Sequence, residues 1–60
     1  NPNAKKVETD IQDDEIMKSL NNIEGVSSLF FGPGFITITK YDNVDWESIT
    51  QDIMNIFDKL

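Results

Sequence analysis

Apolar residues along the chain change their spacing twice, and each spacing predicts a different element. Ile16, Met17, Leu20 and Ile23 recur at the three- and four-residue steps of one helix face. Ahead of them, Thr9 and Gln12 fit a capping box, and Asp13, Asp14 and Glu15 bring negative charge to the positive end of the helix dipole. Gly25 supplies a residue suited to the left-handed stop. These signals predict an amphipathic helix from Asp13 to about Glu24. A second stripe joins Trp46, Ile49, Ile53, Ile56, Phe57 and Leu60, with Glu47, Thr50, Gln51, Asp52, Asn55 and Asp58 opposite. Asp45 is its expected N-cap, Val44 is placed to staple onto Ile49, and Lys59 suits the C-terminal dipole.

Between the helices the period falls to two. Val26–Phe31 and Phe35–Tyr41 are rich in β-branched and aromatic residues and flank Gly32-Pro33-Gly34, which predicts a hairpin. With Pro33 and Gly34 as the loop, Phe31 opposes Ile36, Leu29 opposes Ile38 and Ser27 opposes Lys40. Leu29, Phe31, Ile36 and Ile38 then share one face, the core face, and a slip of one residue would scatter them. Val26, Ser28, Phe30, Phe35, Thr37, Thr39 and Tyr41 fall on the other. A longer bulged loop including Gly32 stays open, because a type II turn twists against its strands. The polar opening Asn1–Thr9, ending in Lys5, Lys6, Val7 and Glu8, fits a short edge strand. Strand, helix, hairpin and helix in that order give an α+β two-layer sandwich: a small antiparallel sheet with a central hairpin and both helices packed on one face. The expected core is Ile16, Leu20, Ile23, Leu29, Phe31, Ile36, Ile38, Trp46, Ile49, Ile53 and Phe57.

Composition narrows the chemistry. Sixty residues make one small domain, residues 1–60, and a domain of this size buries only about 60% of its unfolded surface. The chain contains no cysteine, histidine or arginine, which removes disulfides, thiolate-held clusters, imidazole or sulfur zinc sites and the usual nucleophilic triads. Eleven acids against five lysines give a net charge of −6, a poor match for phosphate backbones, so nucleic acid is not an expected partner. No apolar run approaches the ~18 residues of a membrane span and no leader pattern opens the chain, so it reads as soluble.

Each candidate for chemistry has a plainer reading. Asp10, Asp13, Asp14 and Glu15 are better as helix-capping charge than as a cation cluster, since three of them are consecutive at a helix start. Asp42, Asn43, Asp45 and Glu47 lack the glycine and closing glutamate of a calcium loop. Gly32-Pro33-Gly34 leads from strand to strand, whereas phosphate-cradling loops lead into helices. The carboxylates lie on polar stretches with no apolar wall, so no enzyme is expected. Met17 and Met54 read as core fillers. Phe30 and Phe35 stand out, with Thr37 and Thr39 behind them: two phenylalanines on the outer sheet face mark either an interaction patch or a surface that another segment covers.

The run Ile23-Glu24-Gly25-Val26-Ser27-Ser28-Leu29-Phe30-Phe31-Gly32-Pro33-Gly34-Phe35-Ile36-Thr37-Ile38-Thr39-Lys40, followed by Asp45-Trp46 at a helix start, resembles the N-terminal domain of Nfu/NifU-type iron–sulfur cluster scaffold proteins. Asn1-Pro2-Asn3 resembles that family's opening. There are two departures. Gly34 stands where the family usually carries an aspartate, and the stretch between the opening and the first helix is much shorter. The second leaves open whether a family strand is missing or the protein is trimmed.

The resemblance implies a domain attached to a second one whose Cys-x-x-Cys motif holds the cluster. With no thiol of its own, this chain is expected to carry no cofactor and to serve as a non-catalytic interaction module assisting cluster assembly or delivery to apo-targets. The expected partners are iron–sulfur assembly or client proteins, the isolated domain is expected to be a monomer, and the expected compartment is the bacterial cytoplasm or the mitochondrial matrix. A small stand-alone acidic adaptor or structural protein unrelated to clusters is the competing class. Phe30, Phe35, Thr37, Tyr41, Pro33 and Gly34 are the candidate partner-binding residues, with Asp42 and Asp45 as steering charges; no catalytic or metal-ligating residue is expected.

Overall fold

A computed structural model describes residues 2–59. Asn1 and Leu60, the latter counted on the second helical stripe, lie outside the described residues. The element order is β1 (Ala4–Glu8), α1 (Asp14–Asn21), β2 (Val26–Gly32), β3 (Phe35–Lys40) and α2 (Trp46–Asp58). The sheet is antiparallel with strand order β1-β3-β2. The hairpin thus forms its centre and one edge, and the opening strand pairs along the free side of β3. The result is the expected α+β sandwich.

The hairpin register matches the period-two reading. Phe31 faces Ile36, Leu29 faces Ile38, and Gly32 faces Phe35 across a two-residue loop in which Gly34 adopts φ 79°. At the open end the reading fails, because a bulge between Val26 and Ser28 lets Val26, not Ser27, oppose Lys40. The extra residue reverses the alternation and turns Val26 from the outer face into the core, where it is buried. Ser27 is left to donate its hydroxyl to the Thr39 carbonyl at 3.1 Å.

Helix α1 is shorter than its apolar stripe. Asp13 is the N-cap, accepting the Ile16 N–H at 2.9 Å, and Asn22 closes the helix. Thr9 and Gln12 form no capping box: the Thr9 hydroxyl accepts the Ile11 N–H, while Gln12 donates to the carbonyls of Gly32 and Phe35 at 2.6 and 3.3 Å. Gln12 thereby ties the β1–α1 crossing to the hairpin end. Ile23, past the helix, still reaches the core. Gly25 takes φ 103° beside Val44 and Ile49, so the turn into β2 is wedged directly against the start of α2. Asp45 occupies the N-cap of α2 without a side-chain capping bond; its carbonyl accepts both the N–H and the hydroxyl of Ser48.

Ile16, Leu20, Ile23, Val26, Ile36, Ile38, Ile49 and Ile53 form the buried core. Leu29 and Phe31 point inward but are half-buried, because β2 is an edge strand that α1 covers only in part. Trp46 and Phe57 are half-buried for a different reason. With Val7, Ile38 and Ile53 they line an open apolar cleft of about 290 Å³ between β1 and α2. Met54, at the mouth of that cleft, is 53% exposed and therefore fills no core. Met17 is half-buried beside β2.

Candidate partner-binding surface

Both helices cover the same sheet face, so among the described residues the other is left to its own side chains. Three cross-strand rows run over it: Ala4, Thr39 and Ser28; Lys6, Thr37 and Phe30; Glu8, Phe35 and Gly32. The last row explains the glycine. A Cβ on Gly32 would overlap the distal edge of the Phe35 ring, which lies against the bare backbone and is half-buried. Phe30 stands beside it, with ring centroids 6.2 Å apart and planes tilted by 35°. Lys6 places its Nζ 4.7 Å from the Phe35 centroid, a cation–π distance. Phe35 is therefore fixed from two sides, whereas Phe30 leaves 63% of its surface in solvent.

The structure brings some of the candidate residues together and separates others. Phe30, Phe35 and Thr37 are immediate neighbours, and Pro33 and Gly34 form the exposed tip just beyond them. Tyr41 is exposed, but it lies six residues along the strand direction from Phe35, roughly 20 Å away. The expected steering acids are misplaced in the same way. Asp42 accepts a hydrogen bond from the Asn3 amide at the far end of β3, and Asp45 begins α2. The acids near the ring pair are Glu8, directly opposite Phe35, and Asp10, whose Oδ1 lies 3.8 Å from where a Gly34 Cβ would stand. Sequence reasoning missed Lys6 and Glu8; alternation along β1 would have found both once that strand was paired with β3.

Other residues behind the resemblance have structural work. Lys40 donates to the Asn3 side chain at 2.9 Å, its backbone N–H donates to the Asn3 carbonyl, and the Trp46 indole donates to the Pro2 carbonyl at 2.8 Å. This polar knot anchors the start of β1 to both β3 and α2. The donor set does not fit an iron–sulfur cluster, since there is no thiolate or imidazole in the chain. Among the described residues, no group of three or more aspartates and glutamates comes together to hold a metal ion. No helix there is long and apolar enough to cross a membrane.

Across residues 1–60 the sequence matches the family described as scaffold protein Nfu/NifU N terminal. The chain belongs to this family. Among curated Nfu relatives, the human mitochondrial NFU1 iron-sulfur cluster scaffold homolog is 49% identical over 39 residues, covering 63% of this chain and 15% of that protein. NifU-like protein 4 of Arabidopsis thaliana, also mitochondrial, is 42% identical over 38 residues, covering 63% of this chain and 13% of its own length. The Arabidopsis NifU-like protein 5 is 37% identical over 41 residues, 68% of this chain and 15% of that protein. The aligned part of the Nfu domain thus spans about a seventh of these relatives. No solved structure matches.

Proposed function

We propose that this Nfu N-terminal domain is a non-catalytic interaction module of an iron–sulfur cluster scaffold or carrier. It assists cluster assembly or delivery to apo-targets while a separate Cys-x-x-Cys domain holds the cluster, in the mitochondrial matrix or the bacterial cytoplasm. The observation that carries this reading is the Phe30–Phe35 pair on the helix-free sheet face. One ring is immobilised by Gly32 and Lys6, and the other is presented to solvent. Rigid aromatic anchors dominate interface energies because they bury large area at little entropic cost. The contact surface comprises Phe30, Phe35 and Thr37 with the tip at Pro33 and Gly34. Glu8 and Asp10 beside it, together with the net charge of −6, favour basic partners and faster encounter at low salt.

The test joins this chain to a Cys-x-x-Cys domain taken from a scaffold relative, loads the fusion with cluster, and follows transfer to a net-basic apo-client protein by visible circular dichroism. Faster transfer from the fusion than from the Cys-x-x-Cys domain alone is expected. Equal rates at every salt concentration would contradict the proposal.

A further inference from the structure

The two edges of the sheet are built differently. β1 carries Lys5, Lys6 and Glu8 within its five residues, the charges by which edges are usually kept from pairing. β2, Val-Ser-Ser-Leu-Phe-Phe-Gly, has no charge and no proline, and its one bulge lies at the end away from the hairpin tip. Its backbone groups can be phased. Lys40 N–H bonds Asn3 and Thr9 N–H bonds Gly34, so the even-numbered residues of β3 serve β1. By antiparallel alternation, Phe35, Thr37 and Thr39 serve β2 through Gly32, Phe30 and Ser28. The N–H and C=O groups of Leu29 and Phe31 therefore point away from the sheet. Beneath them Met17, Lys18 and Asn21 of α1 form with Leu29 and Phe31 an open groove of about 310 Å³.

We infer that this β2 edge is a strand-addition site for an extended, net-basic segment of a partner protein with apolar side chains at alternate positions. The inference rests on the interaction-module reading and specifies how the partner is held. An added strand pairs with the outward groups of Leu29 and Phe31. Its inward side chains enter the groove against Met17, Leu29 and Phe31, and its outward ones meet Phe30. Charge selects the occupant. Asp10 stands by Gly34 at the hairpin tip, Asp13 and Asp14 follow Gln12, which bonds the Gly32 carbonyl, and Glu24 precedes β2 at its other end; Lys18 is the one cation lining the groove. Basic residues at both ends of a seven-residue segment match this arrangement, whereas a second copy of the chain would bring −6 against −6.

The probe is the heptapeptide Lys-Val-Thr-Ile-Ser-Val-Lys, capped at both ends, titrated into the isotopically labelled chain while amide hydrogen exchange is followed by NMR. Slowing of the Leu29 and Phe31 amides by roughly tenfold or more near saturation is expected, with Ala4, Lys6 and Glu8 unchanged. The same peptide with glutamate at both ends should give no protection. A chain synthesised with an N-methyl group on the Leu29 amide should lose the effect; if it fails to fold, the titration of the unmodified chain still decides. Protection at the β1 edge, protection that rises with protein concentration without peptide, or no protection at β2 overturns the inference. In the fusion assay, an N-methyl chain that transfers cluster normally while Phe30→Ser is slow removes strand addition and leaves the interaction surface standing. If neither change slows transfer, the surface itself is wrong.

Discussion

Replacing Gly25 with alanine tests the junction on which the packing of β2 against α2 depends. At φ 103° an L-residue is strained, at about 1–3 kcal/mol. The new Cβ would also stand 2.9 Å from Val44 Cγ1 and 3.1 Å from Ile49 Cγ2. The second neighbour is 1% exposed and has nowhere to go, so relief must come from displacing Val44, which adds about another kcal/mol of lost packing. Gly25→Ala should thus cost about 2–4 kcal/mol. Against a total of roughly 3–9 kcal/mol for a domain of this length, that consumes a large share of the stability. Urea unfolding followed by the fluorescence of Trp46 measures it. A double-mutant cycle separates the two causes: Val44→Ala opens the space but leaves the backbone strain, so the pair should be less destabilising than the sum by about 1 kcal/mol. A loss below 1 kcal/mol with strict additivity would show that Gly25 is neither strained nor wedged as described.

Ile36→Ala, at a fully buried position, should cost about 2–5 kcal/mol in the same assay. Phe30→Ser should cost only about 0.5–1 kcal/mol, since the ring is 63% exposed and little of a phenylalanine's burial energy is realised there; comparable losses from the two would place Phe30 in the core. Incubation of the chain with iron and sulfide under reducing conditions should leave no stoichiometric visible chromophore after desalting, because no thiolate is available to hold one. A retained cluster by absorption and metal analysis would defeat that expectation.

Much of the architecture was legible because one face of each element is apolar and its period is unambiguous. The hairpin quartet of Leu29, Phe31, Ile36 and Ile38 tolerates one register only, and the structure keeps it. The bulge was illegible because Ser27 and Ser28 carry no hydrophobic information with which to mark the extra residue. The cap of α1 was misassigned because Thr9 and Asp13 both suit the role, and the choice turns on Gln12 being taken by the hairpin carbonyls, a contact 20 and 23 residues distant in sequence. Full burial of Leu29, Phe31, Trp46 and Phe57 was overestimated for a geometric reason: two short helices cannot cover three strands and leave an edge and a cleft open. On the candidate surface, the rings were readable from alternation. Their support was not, since the Lys6 contact depends on how β1 pairs and the Gly32 contact on where one ring lies.

The most direct test of the account is the rate of cluster transfer to a net-basic apo-client protein from the fused carrier bearing Phe30→Ser, measured beside the parent fusion at low salt. Truncating an aromatic anchor at an interface costs about 2 kcal/mol or more, so transfer under subsaturating conditions should fall by roughly 30-fold or more while the urea midpoint of the domain drops by no more than about 1 M, leaving the domain folded in buffer. Transfer at the parent rate from a correctly folded Phe30→Ser fusion would contradict the assignment of this sheet face as the surface through which the domain works.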